Sequence, residues 1–440
     1  MALSWFAVLA ITTPLGVVAY RNGLALTPQM GWNTWNYFGC NVSESTILSA
    51  AQAIVDNGLD KYGYEYVIVD DCWHDSTRDP DTGAPRPDPT RFPNGIKAVA
   101  DEVHSLGLKF GIYSDAGEYT CGGRYGSLGY EEIDAKTYAS WDVDYLKYDN
   151  CFNDGQSGIP LVSFNRYANM SRALNATGRP ILYSMCNWGQ DGPWDWAPTI
   201  ANSWRISGDI FDTFDRADDR CPCTSAIGCL LSGWHCSVMN VINKMSSLGQ
   251  KAGPGIGWND ADMLEVGNGG MTKSQYIVHF SFWAILKSPL ILGNDVTQMT
   301  NETLEIITND AIIAINQDAS GSPASRIWVV NVTGGELQLW AGSLSTGATV
   351  IGLLNSSPTD QTIDLKMADV FIDSSAQVKT AKYRLYDLWQ RSSSNDTVWG
   401  KDIGVVSGEV PGVSLAPQSC LIYLAVPEAT ASSRKRYDEF

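Results

Sequence analysis

The chain has 440 residues, 44% of them hydrophobic and 18% charged, which is enough for one large catalytic domain and a smaller module. A net charge of -18 argues against nucleic acid as a partner, because polyanions require clustered Lys and Arg side chains. The composition predicts a folded protein, and a neutral substrate fits its negative net charge better than a polyanion does.

The N-terminus predicts export. Residues 1–19 form an apolar run that closes on small side chains and is typical of a signal peptide. An anchored helix is the alternative, but Pro14 and Gly16 shorten the run, so no membrane partner is expected. We therefore expect a secreted, extracellular protein. Seven Asn-x-Ser/Thr sequons fit a glycosylating secretory route: Asn41, Asn169, Asn175, Asn301, Asn331, Asn355 and Asn395.

Between residue 28 and about residue 318, short apolar runs alternate with longer amphipathic stretches, the pattern of repeated βα units around a parallel sheet. Eight units without a Gly-rich phosphate loop favour an α/β fold of the (β/α)8 TIM barrel type, which we assign to residues 24–318. The predicted strands are residues 30–35, 64–71, 108–115, 144–150, 180–185, 203–209, 255–262 and 289–295. The helix-like segments are residues 43–57, 96–106, 130–143, 164–175, 237–247 and 272–286.

After Asp318 the pattern changes to short strand-like runs separated by Gly, Ser and Asn turns. These runs predict a C-terminal antiparallel β-sandwich over residues 322–426, joined to the barrel by a linker at residues 316–325. The runs are ELQLWAG, ATVIGLLN, TIDLKMADV, KYRLYDLW and SCLIYLAV. Residues 427–440 are expected to form a solvated tail.

Six of the eight predicted strands end in aspartate, and in a barrel these ends converge on one rim. Helix capping is the usual role of a single strand-end aspartate, and a core position is usual for a single tryptophan. Six acids around a ring, interleaved with aromatic side chains, are better explained as a pocket for a polyol. The acids are Asp70/Asp71, Asp115, Asp149, Asp209, Asp260/Asp262 and Asp295, and the aromatic side chains are Trp35, Tyr113, Trp188 and Trp258.

Two of these acids suit glycoside hydrolysis. Asp149 shares a strand face with Lys147, whose charge can keep the carboxylate ionised and so nucleophilic, although a structural ion pair is the alternative. Asp209 shares a face with Arg205, and Gly208 lets the backbone approach closely there. One ionised and one protonated carboxyl form the pair that this chemistry requires.

The adjacent Asp70 and Asp71 suit the capture of two sugar hydroxyls, because carboxylate oxygens only accept hydrogen bonds. Divalent metal binding is the alternative, but no further ligand lies at a recognisable spacing, and no metal or cofactor is expected. We interpret His74 as ordinary polarity at the surface. Four cysteines crowd residues 221–236, where export makes disulfides a better interpretation than zinc.

Six ordered motifs, MGWNTW, DDCW, GIYSDAG, YLKYDNC, WRISGDI and GWNDADML, resemble those of glycoside hydrolase family 27, the melibiase-type α-galactosidases. The resemblance runs from about residue 24 to residue 425 and is greatest to secreted fungal members. It implies a retaining exo-glycosidase that removes terminal α-D-galactosyl residues from melibiose- and raffinose-type oligosaccharides and from galactomannans. By the same resemblance, Asp149 is the nucleophile and Asp209 the acid/base.

The resemblance also implies the rest of the site. Positions that line or support the galactose pocket are Trp35, Asp70, Asp71, Tyr113, Cys121, Lys147, Cys151, Arg205 and Asp262. Cys186 and Trp188 would crowd the sugar 2-position, and Trp258 remains an aromatic candidate from the residues alone. The implied disulfides join Cys40 to Cys72, Cys121 to Cys151, Cys221 to Cys236 and Cys223 to Cys229. Other members pair the equivalent of Cys186 with a cysteine where this chain has Ala201, so Cys186 is expected to stay free, and the pairing of Cys420 stays open.

Two alternative functions stay open. The family includes α-N-acetylgalactosaminidases, which open space for an acetamido group, although the CNWG segment looks like the α-galactosidase version. A carbohydrate-binding protein without catalytic activity is the other, against which both Asp149 and Asp209 are present. The partner is then an α-galactoside oligosaccharide or polysaccharide, and association into a homo-oligomer stays open.

Overall fold

The computed structural model describes residues 20, 22–215, 220–223, 227–393 and 398–428. The expected signal peptide at residues 1–19 and the tail beyond residue 428 lie outside the described residues. Within the described part of the chain, no helix combines the length and apolar character needed to cross a membrane.

Eight short parallel strands form the first unit, in the sheet order β7-β6-β5-β4-β3-β2-β1-β8. A bridge between Leu264 and Leu292 closes the sheet from the end of β7 onto β8, so the predicted TIM barrel is confirmed. The strands are β1 Met30–Asn33, β2 Tyr66–Ile68, β3 Lys109–Asp115, β4 Tyr145–Asp149, β5 Leu182–Met185, β6 Ser203–Arg205, β7 Trp258–Asp260 and β8 Leu290–Leu292.

Nine α-helices are described between β1 and the end of the barrel: α1 Trp35–Phe38, α2 Glu44–Asp56, α3 Gly95–Ser105, α4 Glu131–Ser140, α5 Pro160–Ala176, α6 Val238–Met245, α7 Lys273–Ile285, α8 Asn301–Ile307 and α9 Asp310–Gln317. The six helix-like segments of the sequence correspond to α2 through α7. Local chemistry explains several helix starts: Ser43 accepts a hydrogen bond from the Thr46 amide, and Thr272 with Gln275 forms a capping box.

Three helices have no counterpart among the predictions. The first residue of α1, Trp35, falls within the first predicted strand, and α8 and α9 follow β8. The connection between β5 and β6 carries two 3-10 turns, Pro193–Asp195 and Ala197–Thr199, where a full βα repeat would place a helix. Further 3-10 turns lie at Leu59–Tyr62, Gly228–Leu230 and Gly249–Lys251.

Apolar side chains fill the amino end of the barrel. Strand side chains that point outward pack on the helices, whereas an inner cluster closes the axis. The inner cluster consists of Tyr66, Ile68, Tyr145, Leu182, Met263 and Ile291. Burial of such a side chain contributes about 1.5–3 kcal/mol, so the floor is a packed core.

The second unit is antiparallel, as predicted. A six-stranded sheet has the order β14-β13-β16-β11-β10-β9, and a two-stranded sheet pairs β12 with β15. The strands are β9 Ser325–Val332, β10 Gly335–Ser343, β11 Thr349–Asn355, β12 Gln361–Lys366, β13 Lys382–Arg391, β14 Trp399–Ser407, β15 Glu409–Leu415 and β16 Ser419–Pro427. Two short helices, α10 Met367–Val370 and α11 Ala376–Lys379, follow β12. The predictions missed β9, β14 and β15, and the run TIDLKMADV is a strand only as far as Lys366.

The two units share one hydrophobic core through α7. Phe282 on this helix packs edge-on against Trp340 of β10, with ring centroids 5.7 Å apart. The indole N–H of Trp389 donates to the Ser281 hydroxyl at 2.8 Å, and Gly352 of β11 lies against Ile285. The β-sandwich therefore packs directly on the helix that follows β7.

Candidate active site

Four of the strand-end acids gather around two buried cations at the carboxyl end of the barrel. Asp70 pairs with Lys147, while Asp209 and Asp262 both pair with Arg205. Asp149 lies two residues beyond Lys147 on β4 and, like it, is almost fully buried. This group is the polar cluster that the strand pattern predicts.

The remaining two strand-end acids hold loops. Both carboxylate oxygens of Asp115 accept backbone N–H groups, from Gly117 at 2.7 Å and from Cys151 at 3.0 Å. Asp295 accepts from the backbone and hydroxyl of Thr297. Capping, the usual role of a single strand-end aspartate, therefore explains these two positions.

Among the acids of this cluster that keep a free carboxylate oxygen, Asp149 is the most buried. It is 6% exposed, and its Oδ1 accepts from the Asn150 amide at 2.9 Å. Burial raises the pKa of Asp149 to about 7, the Lys147 charge opposes this, and the negative charge of Asp209 adds to it. Asp149 and Asp209 are thus close enough to interact electrostatically.

Asp70 is fixed by two donors. The Lys147 ammonium and the side-chain amide of Asn33 both reach its Oδ2 at 2.8 Å. Lys147 also lies 5.4 Å above the ring of Tyr113. The sequence prediction omitted Asn33, although an inward-facing polar residue at the end of β1 was a signal for it.

Asp71 turns toward the loop that follows β3. Its Oδ1 accepts from the Thr120 hydroxyl at 2.8 Å, and its Oδ2 accepts from the Gly122 amide at 2.6 Å. Burial raises the pKa of Asp71. Thr120 and Gly122 flank Cys121, whose bond to Cys151 fixes this loop beside β4. No spacing in the sequence indicated either residue.

Arg205 at the end of β6 joins the acid/base candidate to the acid that follows the neighbouring strand β7. Its guanidinium lies 2.6 Å from Asp262 and 3.1 Å from Asp209, and its Nη1 lies 3.3 Å from the free thiol of Cys186. Asp262 also accepts from the Ile210 amide at 2.7 Å, which ties the residue after Asp209 to the same carboxylate.

The charges are arranged differently from the sequence expectation. Lys147 makes its direct contact with Asp70, and burial makes the ionised form of Asp149 costly. Asp209, expected to be kept protonated by its surroundings, has a side chain that is 52% exposed and lies against Arg205. Strand periodicity placed these groups on the correct faces, but it does not reveal which carboxyl is buried.

Three residues at the site adopt left-handed backbone conformations that side chains usually avoid. The φ angles are +74° at Cys72, +59° at Trp188 and +80° at Asp262. Each such residue costs about 1–3 kcal/mol, and strain of this kind concentrates at functional sites. Trp188, two residues after Cys186, is half-buried. Trp35, which begins α1 at the end of β1, is also half-buried.

The structure corrects the assignment of Trp258 to the substrate site. Trp258 opens β7, so it lies at the amino end of the barrel, and its indole N–H donates to the Ala25 carbonyl at 2.8 Å. Its side chain is fully buried. Strand periodicity predicts the face of a residue, but Trp258 lies too far down the strand to reach the rim.

Two polar interpretations also need correction. His74 is buried rather than at the surface, with its ring stacked on Trp73 at 3.8 Å, and burial holds its pKa well below the usual range. The sequon at Asn355 does not suit glycosylation, because Asn355 is fully buried and its amide nitrogen donates to the carbonyls of Thr359 and Ala416. Five other sequon asparagines are exposed, namely Asn41, Asn169, Asn175, Asn301 and Asn331, and Asn395 lies outside the described residues.

The eight cysteines form the four pairs that the resemblance implies, Cys40–Cys72, Cys121–Cys151, Cys221–Cys236 and Cys223–Cys229. Cys186 and Cys420 are free and buried. Among the described residues, one group of three potential metal ligands lies close together, Asp115 with Cys121 and Cys151. The two sulfurs in that group are bonded to each other, so they cannot act as thiolate ligands.

Comparisons with known proteins identify the family. Residues 27–318 match the family model described as "Alpha galactosidase A", and residues 334–425 match the "Alpha galactosidase C-terminal beta sandwich domain". The chain belongs to glycoside hydrolase family 27. It is an α-galactosidase, and its reaction is the hydrolysis of α-galactosides.

Individual relatives agree with this assignment. An alpha-galactosidase of Schizosaccharomyces pombe is 52% identical over 371 residues, covering 84% of this chain and 85% of the relative. The crystal structure of alpha-galactosidase I from Mortierella vinacea is 51% identical, with a TM-score of 0.87, covering 94% of this chain and all of that one. The Saccharomyces cerevisiae alpha-galactosidase solved with raffinose is 43% identical, with a TM-score of 0.88, covering 92% of this chain and 99% of that one.

Proposed function

We propose that this α-galactosidase is a retaining exo-glycosidase in which Asp149 is the nucleophile and Asp209 the general acid/base. The observation that carries the proposal is the contrast within one interacting pair of carboxyls. Asp149 is buried beside Lys147, whereas Asp209 stands half-exposed at the rim, where a leaving group and water can reach it. Both act on one anomeric carbon, from opposite sides of the scissile bond.

In the first step, the free Oδ2 of Asp149 attacks the anomeric carbon while Asp209 gives its proton to the departing glycosidic oxygen. The C–O bond to the aglycone breaks, and a galactosyl ester of Asp149 forms. In the second step, water attacks the same carbon and transfers a proton to the Asp209 carboxylate, and the ester bond breaks. Two inversions leave the product with the α configuration.

Burial raises the pKa of Asp149 in the free enzyme, so the bound substrate must favour the ionised form of this carboxyl to begin the cycle. The positive charge that develops at the anomeric carbon favours an ionised Asp149. Lys147 and Arg205 are held too firmly by Asp70 and Asp262 to act as proton donors themselves.

The galactose pocket is assigned to the residues around this pair. The hydroxyl-binding residues are Asp70, Asp71, Lys147, Arg205 and Asp262, with Tyr113, Trp35, Cys186 and Trp188 as the walls. The Cys186 thiol packs against Arg205 at 3.3 Å, and the family resemblance implies that it lies beside the sugar 2-position, where it would crowd a substituent larger than hydroxyl. This contact favours galactose over N-acetylgalactosamine.

An exposed aromatic patch beside Asp209 supports saccharide aglycones of the melibiose, raffinose or galactomannan type. Phe211 is 51% exposed and Trp234 is 55% exposed. The Trp234 backbone packs on Gly208, and the Cys236 amide donates to the Asp209 carbonyl at 2.8 Å. Aromatic faces stack on the C–H faces of sugars, so this patch can hold the unit that departs.

Replacement of Trp234 tests the aglycone assignment. Trp234→Ala should raise KM for raffinose by about two- to tenfold, because loss of one stacked ring removes about 0.5–1.5 kcal/mol. KM for p-nitrophenyl α-galactoside, which lacks a second sugar, should change by less than twofold. Equal changes for both substrates would contradict the assignment.

The catalytic assignment is tested by stereochemistry and by nucleophile replacement. Proton NMR of early turnover should show α-galactose before mutarotation. Asp149→Gly should be inactive in buffer, and azide should restore turnover with formation of β-galactosyl azide. Asp295→Asn, a strand-end control that caps its own loop, should keep wild-type turnover. A β-galactose first product, or an active Asp149→Gly enzyme without azide, would refute the assignment.

The N-terminal run and the exposed sequons support a secreted glycoprotein. At each exposed sequon asparagine, an N-linked glycan can extend into solvent while the protein stays folded. Edman sequencing of the protein recovered from culture medium would give its mature N-terminus near residue 20, whereas recovery only from the cell pellet would overturn this part of the proposal.

A further inference from the structure

Glu265 is a buried carboxyl that the mechanism does not use. It is 4% exposed and lies between β7 and α7, three residues beyond Asp262. One carboxylate oxygen accepts from the side-chain amide of Asn36, and the other accepts from that of Asn268 at 2.5 Å. Burial raises the pKa of Glu265 to about 8. Removing a carboxyl from water is costly, so its two partners indicate a specific use.

The first partner leads to Trp35. Asn36 is the neighbour of Trp35 in α1, a helix of four residues that is far too short to be stable by itself. Its position therefore depends on side-chain contacts: the Trp35 amide donates to Asn33, and Asn36 donates to Glu265. Asn36 also packs on Gly293, where an added β-carbon would lie only 3.0 Å from the Asn36 Cβ.

The second connection leads to Asp262. The backbone N–H of Glu265 donates to Nε2 of His279 on α7 at 2.9 Å. The His279 ring meets Trp283 edge-on at 4.0 Å, and the Trp283 indole donates to the Asp262 carbonyl at 2.6 Å. Glu265 and Asp262 thus belong to one short turn that α7 holds at both ends.

We propose that Glu265 is a positioning residue of the galactose pocket, which fixes Trp35, through Asn36, relative to the turn that carries Asp262. The pocket residues Trp35 and Asp262 come from opposite ends of the barrel sequence, and Glu265 joins them, through its carboxyl on one side and its backbone N–H on the other. Glu265 itself contacts no substrate. The inference rests on the proposed assignment of Trp35 and Asp262 to the pocket.

The test compares binding with turnover. Glu265→Ala removes the acceptor of Asn36, so Trp35 loses its fixed position and both KM and the inhibition constant for galactose should rise by about tenfold. kcat should change by less than threefold, because Trp35 contacts the sugar equally in the ground and transition states. Asn36→Ala should give the same changes, and the double variant should be no worse than either single one.

A conservative replacement provides rescue. Glu265→Gln keeps an acceptor for one amide, and a flip of the Asn36 amide lets its oxygen, buried and unpartnered, accept from the new Gln side chain. Glu265→Gln should therefore keep KM within twofold of wild type. Glu305→Ala, which removes an exposed glutamate paired with Lys273 of α7, is the matched control and should also leave KM unchanged.

A merely structural role has a different signature. If Glu265→Ala lowers the thermal midpoint while KM and the galactose inhibition constant stay at wild-type values, the proposal is overturned. Additive effects of Glu265→Ala and Asn36→Ala would also overturn it. Should Glu265→Ala fail to fold, Asn36→Ala on the half-buried α1 carries the same expectation. Galactose binding does not depend on which carboxyls react, so failure of the Asp149 and Asp209 assignment would leave this result unaffected.

Discussion

The nucleophile assigned here should destabilise the folded enzyme. Burial raises the pKa of Asp149 from its ordinary value of 3.8 to about 7. A carboxyl whose pKa is raised by folding contributes stability that is fully present below pH 3.8 and is lost as the pH rises through 7, because the unfolded chain ionises first. Asp149→Asn keeps the shape and removes this penalty, so the inactive variant should be the more stable protein.

The magnitude follows from the two pKa values. With Asn taken as equivalent to a protonated Asp, the stabilisation by Asp149→Asn is less than about 1 kcal/mol at pH 4, about 2 kcal/mol at pH 5 and about 4 kcal/mol at pH 7. Most of the gain therefore appears between pH 4 and pH 7, and it levels off above pH 8. The pH dependence is a more specific signature than the size at any single pH.

Guanidinium chloride titrations of both proteins at pH 4, 5 and 7 would measure these differences. Asp295→Asn is the control, because it removes a strand-end carboxylate that accepts two hydrogen bonds from Thr297, and it should not stabilise at any of these pH values. An Asp149→Asn protein that is no more stable than wild type at pH 7, or whose advantage is the same at pH 4, would refute the reasoning.

Three further outcomes are expected. Asp209→Asn removes a negative charge that raises the pKa of Asp149, so the acid limb of kcat/KM for 2,4-dinitrophenyl α-galactoside, whose leaving group needs no proton, should move to lower pH; an unmoved limb would show that the two carboxyls do not interact. Trp340→Ala should lower the free energy of unfolding by about 3–5 kcal/mol in one cooperative transition, whereas Val330→Ala on the exposed face of β9 should change it by less than about 0.5 kcal/mol; separate transitions for the two units would contradict a shared core. Glycopeptide mass spectrometry of the folded protein should find Asn355 unmodified, and a glycan at that position would mean that the hydrogen bonds of its amide are not made.

The barrel was accessible from the sequence because its signals are local and repeated. Each strand is a short apolar run, and α2, α6 and α7 begin at capping side chains, Ser43, Ser237 and Thr272. The missed strands lack this signal: β9 exposes Val329 and Val330, and β14 has few buried positions. Edge strands of this kind do not alternate clearly between apolar and polar residues.

The sequence predicted which residues form the site, but it did not predict their burial or their ion pairs. Strand ends placed Asp70, Asp149 and Asp209 on one rim, because parallel strands share a direction. Burial and pairing come from distant parts of the chain, as in the contact of Lys147 with Asp70, 77 residues away in sequence. Periodicity also does not reveal how far along a strand a residue lies, which explains why the prediction placed Trp258 at the rim.

The contact of α7 with the β-sandwich limits the modularity of this enzyme. One side of the helix supports the turn of Asp262 through His279 and Trp283, and the other side is covered by β10, β11 and β13. A chain cut between the units would leave Phe282 and Ile285 facing water directly behind the pocket. The C-terminal unit cannot be exchanged freely between relatives, because its inner surface and α7 must change together.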